Sequence, residues 1–182
     1  PPLPLEIKDG VHIVAASTDP AKPVISGATD KKCPLSKNEP GSFWIEDVEI
    51  RHELDGARAN AAGLYLDSAG VDGGIVANLS GVEFIGCAND NQDANSAGAL
   101  YAHNGAWVVL VDCVFDSCTS ALGAGALRLN GASGEVTSCV FSDNETGGSG
   151  AAISATSAAW GRDLVISESL FVGNEAADAG AA

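Results

Sequence analysis

Cys113-Val114-Phe115-Asp116-Ser117-Cys118 is one of four copies of a single phrase. The others are Val82-Glu83-Phe84-Ile85-Gly86-Cys87, Cys139-Val140-Phe141-Ser142-Asp143-Asn144 and Ser169-Leu170-Phe171-Val172-Gly173-Asn174. Their phenylalanines stand 31, 26 and 30 residues apart. A second phrase of small residues recurs in step: Ala97-Gly98-Ala99-Leu100, Ala124-Gly125-Ala126-Leu127, Gly150-Ala151-Ala152-Ile153 and Ala179-Gly180-Ala181-Ala182. Self-similarity at this period marks a stacked array, in which each unit buries its apolar face only against its neighbours.

The units read as strands. Val109, Val111, Cys113 and Phe115 are spaced by two, as are Thr137, Cys139 and Phe141, and Val165, Ser167, Ser169 and Phe171. That period predicts a strand with one buried side. The stretches Asn89 to Ala97 and Thr146 to Gly150 are rich in Asn, Asp, Ser and Gly, and they take up the differences in unit length as loops. A helical array needs ten or more residues at a period of 3.6, which these glycine-punctuated units do not supply. The expected fold is all-β, a right-handed parallel β-helix of about four to five coils.

The register extends backwards, with Val48 and Ile50 matching Val82 and Phe84, and Ala62-Gly63-Leu64 matching the small-residue phrase. Residues 1 to 44 differ in kind: they hold all seven prolines and all five lysines, with strand-like pieces at Leu5-Glu6-Ile7-Lys8, Val11-His12-Ile13-Val14 and Pro23-Val24-Ile25. The division expected is 1–44 as an N-terminal cap with an irregular first coil, and 45–182 as the repeats, because a solenoid closes its end with an atypical unit. Phe43 and Trp44 fall where cap meets coil.

The Phe-x-x-Asn phrase, followed about a dozen residues later by a Gly-Gly-Ala-Ile-type phrase, resembles the repeat of chlamydial polymorphic outer-membrane proteins. Phe141 with Asn144 and Phe171 with Asn174 match it directly. Cys87 and Cys118 stand in place of the asparagine in the two earlier copies, and Gly-Gly-Ala-Ile has become Ala-Gly-Ala-Leu. The resemblance covers residues 75 to 182 and implies a right-handed β-helix, surface display and adhesion.

Composition narrows the function. The chain has 182 residues, 46% of them apolar, enough for one domain with a core. No apolar run is long enough to span a membrane. With no Met, the chain does not begin at its own initiator, so a mature product or a fragment is expected, with further coils after Ala182. The net charge of −15 and the absence of lysine after Lys37 exclude a basic face for nucleic acid. Acidity of this kind keeps a long surface rod soluble. The acidic run Asn89-Asp90-Asn91-Gln92-Asp93 lacks the central Gly and final Glu of a calcium loop, and is read as a solvated loop. No metal or other cofactor is expected.

Cys113 and Cys139 share one column, two residues before Phe115 and Phe141. Cys87 and Cys118 share another, three residues after Phe84 and Phe115. Equivalent residues on adjacent coils lie about 4.8 Å apart, within the Cα range of a disulfide. Two readings stay open: two inter-coil disulfides, or two ladders of thiols packed as small hydrophobes. Cys33 has no column partner. Asn144 and Asn174 suit a ladder in which a repeated amide satisfies backbone groups along the axis. Asn144-Glu145-Thr146 and Asn78-Leu79-Ser80 are both glycosylation sequons; an inward Asn144 carries no glycan, which leaves Asn78 as the acceptor.

Parallel β-helices include polysaccharide lyases and hydrolases, so a carbohydrate-active enzyme or a carbohydrate-binding module is the competing expectation. Hydrolysis needs clustered carboxylates, and the chain has no Asp-Asp pair. Lyase-like candidates are Arg128 with Asp112 or Asp116, and Arg162 with Asp163. His12, His52 and His103 occupy unmatched positions. Phe84, Phe115, Phe141 and Phe171 form one inward column, and Trp107 and Trp160 are read as filling the core edge rather than as sugar platforms. The function expected is a non-catalytic structural or adhesive segment of a larger extracellular or cell-surface protein. Its partners would be other segments or copies of that assembly, or glycans, met through the loop Ala88 to Ala97.

Overall fold

The computed structural model describes residues 5–15, 22–26, 34–52, 61–69, 74–156 and 163–178. Cys33, Trp160, Arg162 and the small-residue phrase at Ala179 to Ala182 lie outside them. Twenty-two strands occur in the described residues, with no helix, and they stack in six layers. The first layer holds β1 (Leu5–Glu6), β2 (His12–Val14) and β3 (Val24–Ser26), and the second β4 (Leu35–Lys37), β5 (Gly41–Glu46) and β6 (Glu49–Arg51). The third holds β7 (Leu64–Asp67), β8 (Ile75–Ser80), β9 (Glu83–Ile85) and β10 (Ala88–Asn89). The fourth holds β11 (Leu100–His103), β12 (Trp107–Val111), β13 (Val114–Asp116) and β14 (Thr119–Ser120). The fifth holds β15 (Leu127–Asn130), β16 (Ser133–Thr137), β17 (Val140–Ser142) and β18 (Glu145–Thr146). The sixth holds β19 (Ile153–Thr156), β20 (Leu164–Ser167), β21 (Leu170–Val172) and β22 (Glu175–Ala176).

Each strand pairs in parallel with its equivalent one layer away. The result is three six-stranded sheets, beginning at β1, β2 and β3, and a four-stranded sheet beginning at β10. This is a parallel β-solenoid of about five turns. The registers join the phrases read from the sequence: Phe84, Phe115, Phe141 and Phe171 are direct partners, and Leu64, Leu100, Leu127 and Ile153 form a second column. The proline-rich segment also enters the regular sheets, since β1 to β4 and most of β5 come from residues 5–44.

Single residues in the left-handed region turn the chain from one sheet to the next. Between the second and third sheets they are Asp47, Gly81, Asp112, Ser138 and Glu168, with φ from 52° to 61° across the set. Between the third and fourth they are Gly86, Ser117, Asp143 and Gly173. Each bend takes up one residue and shifts the alternation by one, which corrects the uniform period of two. Val108, Leu110, Cys113 and Phe115 are buried, whereas Val109 and Val111 face outward. Ile166, not Val165, continues the inward column of Leu110 and Val136.

Close axial approach explains the small-residue phrase. A Cβ on Gly98 would lie 2.0 Å from the Gly125 carbonyl oxygen, and one on Gly125 would lie 2.2 Å from that of Ala151. The phenylalanine rings stack with centroids 4.8, 4.7 and 4.9 Å apart and planes within 10°. Those separations equal the strand spacing, so each ring lies one coil from its register partner with its face nearly parallel, a stack that adds to burial. Phe43 is inward in β5, but Trp44 beside it is outward and exposed. Lys37 enters the inward column of Leu66 and is fully buried, its Nζ 3.4 Å from the Ile7 carbonyl oxygen.

Candidate functional site

Both cysteine columns sit immediately after the left-handed bends. The bend swings the next backbone N–H out of the strand ladder, and a side chain one coil further on caps it. Ser169 Oγ accepts from the Cys139 N–H at 3.1 Å, Asn144 Oδ1 from the Cys118 N–H at 3.0 Å, and Asn174 Oδ1 from the Asn144 N–H at 3.1 Å. The sulfurs hold the same place: the N–H of His52 faces Cys87, that of Val82 faces Cys113, and that of Cys113 faces Cys139. Each capping group also donates. Asn144 and Asn174 give amide hydrogens to the Phe115 and Phe141 carbonyls, both at 3.0 Å, while Cys87 and Cys118 give thiol hydrogens to the Ile50 and Phe84 carbonyls, both at 3.4 Å. Cysteine therefore substitutes for asparagine at this corner by chemistry as well as by alignment.

All four described cysteines are free, buried thiols, the second of the two readings that the sequence leaves open for the Cys113–Cys139 and Cys87–Cys118 columns. In-register residues of parallel strands project side by side, so their Cβ atoms keep the strand spacing of about 4.8 Å. A disulfide needs a Cβ separation of about 3.5–4.5 Å. The neighbouring thiol first, and burial second, push Cys87 and Cys113 up from the usual thiol range. They are thiols in a hydrogen-bonded core, not exposed nucleophiles.

The outer face of the first sheet carries a cluster that the sequence reading missed. Tyr65 in β7 and Tyr101 in β11 are register partners, as are Asp67 and His103. Tyr65 Oη lies 2.7 Å from His103 Nε2, which is 3.4 Å from an Asp67 carboxylate oxygen. The Tyr101 and His103 rings stack at 4.9 Å, and the Asn130 amide donates to Tyr101 Oη at 3.1 Å. Burial lowers the His103 pKa below the usual histidine value, against the opposing pull of Asp67. Burial resists ionisation of Asp67, yet the Asn104 amide, the Ala69 N–H and His103 together leave its carboxyl below the usual range. Aligning Gly63-Leu64 with Ala99-Leu100 and reading on by three residues would have exposed this cluster.

Arg128, one layer on from Tyr101, donates to Ser154 Oγ. It lies in the first sheet, whereas Asp116 lies in the third and Asp112 at the bend before it, so the fold does not place these lyase candidates on one face. His12 instead meets Glu46 at 2.9 Å. Trp107 faces outward in β12, which corrects its assignment to the core edge. Asn78 is outward and half-buried in β8, its amide 3.3 Å from the Phe43 carbonyl oxygen; Asn144 is fully buried.

Along the fourth sheet runs an open cleft of about 370 Å³ lined by Asn89, Asp90, Thr119, Ser120, Glu145 and Gly147, among others. Beside it, Asn89 to Ser96 forms successive turns in which Asn89, Asn91 and Asp93 side chains accept from the N–H two residues on, at 3.0, 3.2 and 2.9 Å. That bonding accounts for the Asn/Asp run as turn chemistry. Asn95 then reaches Asn130 at 3.2 Å, tying this loop to the tyrosine face. Among the described residues no helix is long and apolar enough to cross a membrane. No family model, curated protein or solved structure matches the chain.

Proposed function

We propose that this chain is a non-catalytic structural or adhesive segment of a larger extracellular or cell-surface protein, as the chlamydial-type repeat implies. The observation that carries this reading is the unbroken axial ladder. Three parallel sheets run through all six layers, with the phenylalanine stack and corner caps beside them, so stiffness needs no cofactor. In a solenoid each coil contacts only its neighbours, and extended faces are left free for partners. The loop Ala88 to Ala97 borders both the fourth-sheet cleft and the tyrosine face, and it is the contact surface of this proposal.

A second reading, as a carbohydrate-active enzyme or a carbohydrate-binding module, is favoured by the half-buried Tyr65 beside Asp67 and His103, with Tyr101 buried behind them, since an aromatic ring beside hydrogen-bonding groups suits sugars. Acidic and neutral polysaccharides, assayed with and without calcium for cleavage and for retention on the immobilised chain, separate the two. The first reading expects no new reducing or unsaturated ends, and surface attachment that is lost when residues 90–95 are replaced by Gly and Ser. Turnover abolished by His103→Ala or Arg128→Ala would overturn it in favour of the enzyme. Sugar retention abolished by Tyr65→Ala without turnover would favour the carbohydrate-binding module.

A further inference from the structure

Two tryptophans stand outward on the second sheet with no part in the core, the corners or the tyrosine face. In the second, third and fourth layers that sheet presents Trp44, Val76, Asn78, Trp107, Val109 and Val111 to the outside. Trp44 is the register partner of Asn78, and Asn78 of Val109, while Val76 is the partner of Trp107. Trp44 is 39% exposed, and the other five are half-buried, as neighbours flanking one another on a flat sheet. In a chain with 24 carboxylates, β5, β8 and β12 together bring one to this face, Glu46, which His12 meets at 2.9 Å. A contiguous apolar patch of this kind marks a surface that something covers.

The middle of the patch identifies the cover. Asn78-Leu79-Ser80 is an N-glycosylation sequon, and strand alternation sets Asn78 and Ser80 on the same outward side. Asn78 Nδ2 lies 3.3 Å from the carbonyl oxygen of Phe43, so the nitrogen that bears a sugar is turned towards β5, where the next residue is Trp44. Glycosylation replaces one of the two amide hydrogens and leaves the other for that carbonyl. Trp107 lies two strands from Trp44 along the axis and, counted through Val76 and Asn78, two residues along the strand. That places their backbones about 12 Å apart, within reach of the first sugars of a glycan. The apolar faces of sugar rings suit indole, and their lack of charge suits a face this poor in carboxylates.

We propose that Asn78 carries an N-linked glycan whose innermost sugars lie on Trp44 and Trp107 and cover the outer face of the second sheet. The bond forms between Asn78 Nδ2 and the anomeric carbon of an oligosaccharide as the bond from that carbon to a lipid diphosphate donor breaks. The diphosphate leaves, and the amide proton passes to a base of the transferase. Transfer takes place on the extended chain before β8 enters its sheet, and folding then lays the sugar on the tryptophans. This modification rests on the extracellular placement proposed above and adds to it a modified residue and the surface that receives the sugar.

Expression through a eukaryotic secretory pathway tests it. Such a host supplies donor and transferase whatever the native source, so an empty Asn78 counts against the glycan alone, whereas the extracellular reading stands or falls on the attachment assay. Intact mass and peptide mapping of the secreted chain should place one glycan at Asn78 and none at the buried Asn144, and Ser80→Ala should remove it. The glycosylated chain should melt about 2–4 °C above the same chain made in a host without the transferase, the shift that one aromatic contact gives at this size. Ser80→Ala from the secretory host serves as the reference if the bare chain misfolds. Trimming to the single innermost sugar should keep most of the shift. Trp44→Ala should keep the glycan and lose the shift, without disturbing the core, because Trp44 is outward. An empty Asn78 overturns the proposal, as does a glycan that leaves melting unchanged or raises it equally in Trp44→Ala. So does retention of the glycosylated chain in cells that secrete folded Ser80→Ala, since the face then has no room for the sugar.

Discussion

Replacing Asn144 by alanine tests whether the corner ladder, rather than burial alone, holds the coils in register. The side chain is fully buried; it accepts from the Cys118 N–H and donates to the Phe115 carbonyl and to Asn174 Oδ1 at 2.8 Å. Alanine leaves the Cys118 donor and the Phe115 acceptor without that partner. A buried unsatisfied polar group costs about 1–3 kcal/mol, with the carbonyl at the low end because it has two lone pairs. The expected loss is about 2–4 kcal/mol, a fall in Tm of about 5–15 °C for a chain of this size. Asn144→Cys should recover about half, because a thiol is a weaker donor but reaches the same carbonyl in the Cys87 and Cys118 layers. Thermal and urea unfolding give the magnitude. Amide exchange at Cys118 gives the local readout, since an array can open layer by layer. The reasoning is refuted if Asn144→Ala lies within about 0.5 kcal/mol of the parent, the scatter of an ordinary surface change, or if cysteine is no better than alanine.

Phe115→Ala removes a fully buried ring with a neighbour on each side and should cost about 3–5 kcal/mol, whereas Phe171→Ala, with one ring neighbour and partial exposure, should cost less than half of that by urea titration. The thiols of Cys87, Cys113, Cys118 and Cys139 should resist alkylation in the folded chain and label fully in denaturant without reductant; intact-mass analysis showing two bonds among them would contradict the thiol ladders. For His103 the folded pKa is depressed, so the unfolded state binds the extra proton and stability rises with pH. The contribution is present above about pH 6.5 and is lost as pH falls below it; unfolding from pH 7.5 to 5 should show this slope, and His103→Gln should flatten it. Asp67, also depressed, acts in a separate window, its contribution lost only as pH falls below the ordinary aspartate value of 3.8.

The period of the Phe and small-residue phrases was sufficient for the parallel solenoid, because in a stacked array equal spacing in the chain becomes equal position in space. The same logic placed Phe84, Phe115, Phe141 and Phe171 in one column, and Asn144 beneath Asn174. Tertiary structure decided what alternation along the strand could not. One left-handed residue at Asp112 or Ser138 reverses which side chains face inward, and such a bend has no obligatory residue, since Asp, Ser, Glu and Gly all occupy it. It also decided that aligned cysteines remain thiols, because parallel registry fixes Cβ separation as firmly as Cα separation. The Tyr65 and His103 cluster was the least legible. Outward residues carry no apolar period, and only the register of β7 against β11 shows which of them touch.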